Sequence, residues 1–149
     1  MLYDPHVLTI SYGTPLYDAS VALRDLVLRK PLGIRFAPYQ FREEWKQLHL
    51  VYLAPGINEV VGVLVLSPLD RHRVKMRQVA VHPDFQGQGI GQYLVQFSEK
   101  YAKYMGFKEV VLHARMSAVE FYKKIGYSQD GDVFEEVGLL HVRMQKSFV

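Results

Sequence analysis

The sequence predicts an α/β (or α+β) domain in which a mixed sheet carries helices on its faces. Three observations lead there. Strand-like apolar runs recur from Val7 to Phe148, helical periodicities of apolar residues interrupt them, and residues 78–114 read as one strand–helix–strand unit. A helix that joins two strands of one sheet in this way makes a right-handed parallel crossover. Neither a helical bundle nor a sandwich has that order. The 149 residues suit one domain, 1–149, large enough for a proper core and too small for two.

Each element follows from local pattern. "VLTISYG" (7–13) alternates apolar with polar and predicts a strand. Thr14-Pro15 reads as an N-cap followed by proline at the first helical position, and Leu16, Ala19, Leu23, Leu26 and Val27 keep helical spacing until Lys30-Pro31. The stretch from Leu32 to Trp45, with two prolines and mixed charges, gives no firm prediction. "LHLVYLA" (48–54) and "EVVGVLVLS" (59–67) flank Pro55-Gly56-Ile57-Asn58 and predict an antiparallel hairpin. "KMRQVAVHP" is a further strand. Ile90, Leu94, Phe97, Tyr101 and Tyr104 then mark the strongest helix, which Gly106 ends. "EVVLHA" (109–114) is a strand, "AVEFYKKIG" (118–126) a short helix with Phe121 expected in the core, and "LLHVRMQKSF" (139–148) a closing strand. Residues 127–138 are expected to hold a strand with a turn at Asp130-Gly131-Asp132.

Composition removes several functions. The absence of cysteine excludes disulfides, thiolate-zinc sites and a cysteine nucleophile, in keeping with a reducing cytoplasm. No apolar run reaches the roughly 18 residues of a membrane span, and "MLYDPHVLTISYG" lacks the basic-then-apolar pattern of a secretory signal. No membrane partner is expected. The net charge of +3 is mild, and its densest stretch, "DRHRVKMR" (70–77), is too short for a nucleic-acid stripe. No two histidines have helical ligand spacing, so no metal is expected.

The stretch with most chemistry in it is "QVAVHPDFQGQGIG" (78–91), where a strand hands over to the longest helix through three glycines. A helix N-terminus offers unpaired N–H groups and partial positive charge, and glycine lets a turn approach phosphate oxygens closely. The reading open beside this one is a tight turn with no ligand. A Walker loop is excluded because no Gly-Lys-Ser/Thr follows. The spacing of Gly87, Gly89 and Gly91 does not meet the dinucleotide fingerprint G-x-G-x-x-G.

Two motifs carry a family resemblance. Gln86-Gly87-Gln88-Gly89-Ile90-Gly91 resembles the Q/R-x-x-G-x-G/A acetyl-CoA motif of the GNAT superfamily of N-acyltransferases. "RMSAVEFYKKIGY" (115–127) resembles its second signature, N-x-x-A-x-x-F-Y-x-x-x-G-F/Y. The resemblance is strongest from about 74 to 127, and the element order extends it along the chain. It implies a mostly antiparallel twisted sheet with a central splayed parallel strand pair and helices on both faces. It also implies acetyl-CoA as co-substrate, with the pantetheine threading the splay along the backbone of Val79, Ala80 and Val81. The amides of Gln86, Gly87, Gln88, Gly89, Ile90 and Gly91, with Gln92 at the helix start, would then cradle the pyrophosphate.

The resemblance further implies that Tyr122 lies near the thioester sulfur as general acid. Two positions depart from the family pattern. Arg115 replaces the usual asparagine and is expected either to reach the cofactor or an acidic group, or to be surface. The glutamate that some relatives carry early on the motif strand is absent from Lys75-Met76-Arg77-Gln78. Candidates for a base are Glu135, Glu136, His113 and His141. "VFEEVGLLHVRM" (133–144) resembles a C-terminal hairpin of one GNAT subgroup, in which Glu135 and His141 match its acid and histidine. That acidic hairpin leans toward a cationic acceptor. The expected activity is acetyl transfer to a primary amine, of a small molecule or a protein, by direct attack in a ternary complex. A catalytically silent acyl-CoA-binding sensor is the alternative, and the oligomeric state stays open between monomer and homodimer.

Overall fold

The computed structural model describes residues 4–148. Among them seven strands form one sheet: β1 (Val7–Ile10), β2 (Leu48–Leu53), β3 (Val60–Pro68), β4 (Arg73–Val81), β5 (Glu109–Arg115), β6 (Ser128–Glu136) and β7 (Leu139–Ser147). Their order in space is β1-β2-β3-β4-β5-β7-β6. Every neighbouring pair is antiparallel except β4 and β5, as a strand–helix–strand crossover requires. The helices are α1 (Pro15–Arg24), α2 (Ile90–Tyr104) and α3 (Val119–Lys124).

The helices begin and end where local chemistry dictates. Thr14 caps α1, its hydroxyl accepting from the Tyr17 N–H at 3.3 Å, and Pro15 follows in the position where a missing N–H costs nothing. The regular helix stops at Arg24, earlier than the sequence periodicity predicts. The chain then widens into a π-helical turn at Asp25–Arg29 and tightens into a 3₁₀ turn at Lys30–Leu32. This irregular exit carries Leu28 and Arg29 toward the middle of the sheet.

The two longer helices cover opposite faces of β3. Leu23, with Val27 and Leu28 after it, packs on Val63 and Ala80. Leu94, Val95 and Ala102 of α2 join Leu64, Leu66, Met76 and Leu112 in the main core. Val63 and Leu64 are consecutive, so they point to opposite sides of the pleat. Burial on both faces explains why β3 reads as a continuous apolar run rather than an alternating one.

Two expectations need correction. Residues 130–132 make no turn, because β6 runs through them as one strand with an irregular register between Gln129 and Val133. A bulge absorbs the glycine there. Phe121 is not core either. It is 36% exposed, because the side of α3 that carries it faces α2's first turn rather than the sheet.

The segment that resisted prediction is held by one buried polar network. It contains only 3₁₀ turns, at Pro38–Phe41 and Glu44–Lys46. The fully buried Glu44 carboxylate accepts from Arg24 Nη1 at 2.8 Å and Nη2 at 2.6 Å, and from the Tyr17 hydroxyl at 2.7 Å. Burial alone would raise the pKa of this carboxyl, but the hydrogen bonds from Arg24 and Tyr17 outweigh it and hold the group below the usual carboxylate range. His49 donates Nε2–H to the Glu44 carbonyl at 2.7 Å and closes the network from β2. Removing one partner of such a pair leaves an uncompensated buried charge. Glu44→Gln is therefore expected to lower unfolding stability by about 3–5 kcal/mol, read by urea denaturation. A loss under about 1 kcal/mol would mean that the network does not hold the segment.

Candidate active site

The site grows out of a failure of pairing. β4 and β5 pair from Arg73↔Glu109 only as far as Met76↔Leu112. Beyond that point β4 stays with β3 out to Val81↔Gly62, while β5 stays with β7 out to Arg115↔His141. The two strands therefore diverge, as the resemblance implied. A β-bulge marks the divergence. Register passes from Val65↔Arg77 to Val63↔Ala80, so Gln78 and Val79 together oppose Leu64. Gln78 takes a φ of 57°, a left-handed conformation uncommon outside glycine, and its Oε1 is buried without a partner.

Along the widened gap β4 exposes a peptide edge. The His82 N–H donates to the Val61 carbonyl at 2.8 Å, so that pair is hydrogen-bonded. Antiparallel pairing alternates, which turns the peptide groups of Val81 away from β3 and leaves those of Ala80 paired with Val63. The Val81 carbonyl accepts from Gln86 Nε2 at 2.9 Å, and its second lone pair remains available.

The strand then leads into the glycine turn. Gly87 and Gly89 adopt φ of 79° and 81°, where a Cβ is strained. Gly89 is the N-cap of α2, and no side chain caps this helix. The N–H groups of Ile90, Gly91 and Gln92 therefore lack intrahelical partners. Gln86, Gln88 and Gln92 stand exposed, while Ile90 is buried and anchors the turn. Beside Gly91, a Cβ would lie 3.6 Å from the Phe121 ring.

Between the diverging strands, the irregular exit of α1 and the β6–β7 turn lies a cavity of about 380 Å³. Tyr122 lines it and is 7% exposed. Among the described residues its hydroxyl has no hydrogen-bond partner, and burial pushes its pKa above the ordinary phenol value. The group is neutral at any working pH. His113, also lining the cavity, places Nδ1 3.2 Å from Glu136 Oε1. Burial and the neighbouring Lys75 hold its pKa below the usual imidazole value, against the opposing pull of Glu136. With Nδ1–H donated to the carboxylate, Nε2 keeps a free lone pair.

The other candidates fall into place around this pair. Glu136 lines the cavity, whereas its neighbour Glu135 does not and is exposed. His141 is buried behind it. Its Nδ1 lies 2.9 Å from the Leu139 carbonyl and its Nε2 3.8 Å from Glu136. Arg115 lines the cavity, and its Nη2 donates to the Leu28 carbonyl at 3.0 Å, far in sequence from the glycine turn. Sequence reasoning passed over Arg29, Lys75, Arg77 and Gln78, which also line the cavity. Lys75 and Arg77, two residues apart on a strand, share a face, and that period was the available signal. Among the described residues no group of His, Asp and Glu converges to hold a metal ion, and no helix is long and apolar enough to cross a membrane.

Comparison with known proteins agrees with this arrangement. A family model described as an acetyltransferase (GNAT) domain matches residues 32–148. N-acetyltransferase family 8 member 3 of Rattus norvegicus is 28% identical over 91 residues, covering 56% of this chain and 40% of that protein. The chain spans between 30% and 60% of the length of the curated relatives it matches. An acyl-CoA N-acyltransferase structure from Pseudomonas aeruginosa superposes with a TM-score of 0.78 at 20% identity, covering 95% of this chain and 98% of that one. A GNAT family acetyltransferase from Elizabethkingia anophelis, with acetyl-CoA bound, gives 0.73 at 20% identity, covering 95% and 97%. At such identities the structures establish the fold. With its splayed strand pair and a family model matching most of its length, the chain belongs to the GNAT acetyltransferase family.

Proposed function

We propose that the protein is an N-acetyltransferase that moves the acetyl group of acetyl-CoA onto a primary amine by direct attack in a ternary complex. The observation that carries this reading is the gap between β4 and β5. It joins an unpaired peptide edge and an uncapped helix N-terminus at one end to a cavity holding Tyr122 and His113 at the other. The acetyl-CoA bound to the Elizabethkingia anophelis relative supports it. A single domain working in the cytoplasm, without metal or nucleic acid, is part of the same proposal.

The co-substrate's pyrophosphate would rest on main-chain N–H groups of the turn at 86–91 and the helix start at Gln92, with glycine needed at 87 and 89 for their positive φ. Its pantetheine amides would pair with the β4 edge at Val79 and Val81 as an added strand. The thioester then lies at the bulge, where a β4 N–H polarises the carbonyl.

In the chemical step the amine nitrogen attacks the carbonyl carbon, a C–N bond forms, and the C–S bond breaks. The nitrogen's surplus proton passes to Nε2 of His113, whose Nδ1–H stays on Glu136. The departing sulfur receives a hydrogen bond from the Tyr122 hydroxyl. A thiol has an ordinary pKa of about 8.5, lower than the buried phenol's, so Tyr122 stabilises the thiolate as it leaves and completes proton transfer only with resupply from solvent. Glu135, outside the cavity, has no part in this scheme, and neither does His141, whose Nδ1–H goes to the Leu139 carbonyl. With no strand glutamate, the base in this scheme is the His113–Glu136 pair, and a silent acyl-CoA-binding sensor is the alternative that a lack of turnover with every amine would favour.

Three outcomes are expected. Calorimetry should detect saturable CoA binding, and Gly89→Ala should weaken it roughly tenfold, since its left-handed backbone strains any Cβ by about 1–2 kcal/mol. Protein that takes up no CoA at millimolar concentration would overturn the reading. Tyr122→Phe should lower kcat for thiol release by about 10²-fold with CoA affinity unchanged; an unaltered kcat removes the phenol from the mechanism. His113 has a pKa below its ordinary value, so it is already a free base at neutral pH. The acid limb of kcat should therefore fall below about pH 6.5. His113→Gln should abolish that limb and cost about 10²-fold in kcat, and a persisting limb would assign the base elsewhere.

A further inference from the structure

The cavity's charge is at odds with a cationic acceptor. Arg29, Lys75, Arg77 and Arg115 all line it, against one lining carboxylate, Glu136. That carboxylate already accepts from His113 at 3.2 Å. Among the described residues none of the four cations is within ion-pairing distance of an acidic group, whereas the nearby Arg24 is fully matched by Glu44. Glu135, the other acid of the hairpin, lies outside the cavity.

Arg29 is the most telling of the four. It is 8% exposed, its Nε has no hydrogen-bond partner, and its guanidinium lies 4.5 Å from the centre of the Phe36 ring. Burial, then Arg115, Arg24 and Arg77, push its pKa below the ordinary guanidinium value. Arg77 makes only a long 3.2 Å hydrogen bond to Gln47, and Arg115 spends one nitrogen on the Leu28 carbonyl. Lys75 has its pKa lowered by burial, with Glu136 pulling the other way. Gathering four cations in a half-buried space costs stability unless an anion is meant to join them.

That anion is not the pyrophosphate of the co-substrate. No residue of the 83–92 segment lines this cavity, and the free amides of α2 lie beyond Val81. Nor is it a large polymer, because about 380 Å³ is the size of a small-molecule site.

We infer that the acceptor is a small amine that also carries an oxyanion, a carboxylate or a phosphate, which Arg29, Arg77 and Arg115 receive while the amine faces His113. This inference rests on the acetyltransferase reading for its amine and on the cavity alone for its anion. The same cations disfavour an ammonium beside them, so the nitrogen is held in the neutral, nucleophilic form that attack requires.

The test is direct binding of product-like probes to the whole protein, with and without CoA. Three matched sets are titrated by calorimetry: N-acetyl amino acids, their N-acetyl aminophosphonate counterparts and their uncharged N-acetyl carboxamides. At least one anionic set is expected to bind tenfold or more tightly than the carboxamides, and the tighter of the two names the oxyanion. Arg29→Gln and, separately, the more exposed Arg77→Gln should each reduce that preference at least fivefold, with melting temperature checked for both. Equal binding of carboxamides and anions, no anion binding at all, or a preference untouched by both variants would overturn the inference. CoA binding without anion preference removes this inference and leaves the acetyltransferase reading standing. Anion preference without CoA binding removes the acetyltransferase reading, and with it the acceptor's amine, and leaves only the anion site of the cavity standing.

Discussion

The architecture depends on the point at which two parallel strands stop pairing. A parallel pair in the middle of a sheet would ordinarily bond along its whole length, since a buried, unpaired peptide group costs free energy comparable to a lost hydrogen bond. Here pairing ends at Met76 and Leu112, although both strands continue. The bulge at Gln78 and Val79 bends β4 one way, and the long register of β5 with β7 holds the other strand in place. The gap is thus fixed by the sheet on both sides. Gln86 covers part of the exposed edge by donating to Val81. The Val81 peptide groups face away from β3 in strand geometry, the arrangement against which the proposed pantetheine would pair.

A second constraint sets what the gap faces. The chain from Asp25 to Lys46 has little regular structure and would have no fixed position on its own. The Glu44 carboxylate, bonded to Arg24 and Tyr17 of α1, ties its far end back to the helix from which it departs. Arg29 and Gln40 lie between these anchor points and form one wall of the cavity. A buried ion pair is a poor source of net stability because desolvation offsets most of the attraction. Its value here is geometric: it selects one path for a loop that apolar packing alone would leave undetermined.

This explains which parts of the protein could be read from its residues. The strands from Leu48 to Val81, the helix from Ile90 and its glycine turn are governed by short-range period and capping, and their sequence patterns match the structure closely. So does Thr14-Pro15 at the start of α1. The segment from Leu32 to Trp45 was opaque because its conformation is decided by Arg24, which lies outside it in sequence. Gln78 was opaque for a different reason. Glutamine carries no preference for positive φ strong enough to announce a bulge, so the register of β3 imposes it. Phe121 was misassigned to the core because helical period places an aromatic on a face without saying what covers that face. Of the candidate site, the tight turn and the uncapped start of α2 were legible through their glycines. The four cations lining the cavity come from three separate stretches of chain, and only the fold brings them together.

Their convergence changes how the reactive groups behave. In a neutral pocket, Glu136 beside His113 would favour the imidazolium and leave no base at pH 7. Burial and Lys75 act in the opposite sense and keep the ring neutral, while the carboxylate still orients it through Nδ1. The positive field works likewise on an amine, whose ordinary pKa of about 10.4 would otherwise keep it protonated. An ammonium without an attached anion is repelled from such a pocket, and an anion without an amine has nothing to acylate. A molecule bearing both satisfies the field at one end and delivers a free nitrogen at the other. In the proposed reaction, the charges that would select the acceptor would also prepare it for attack.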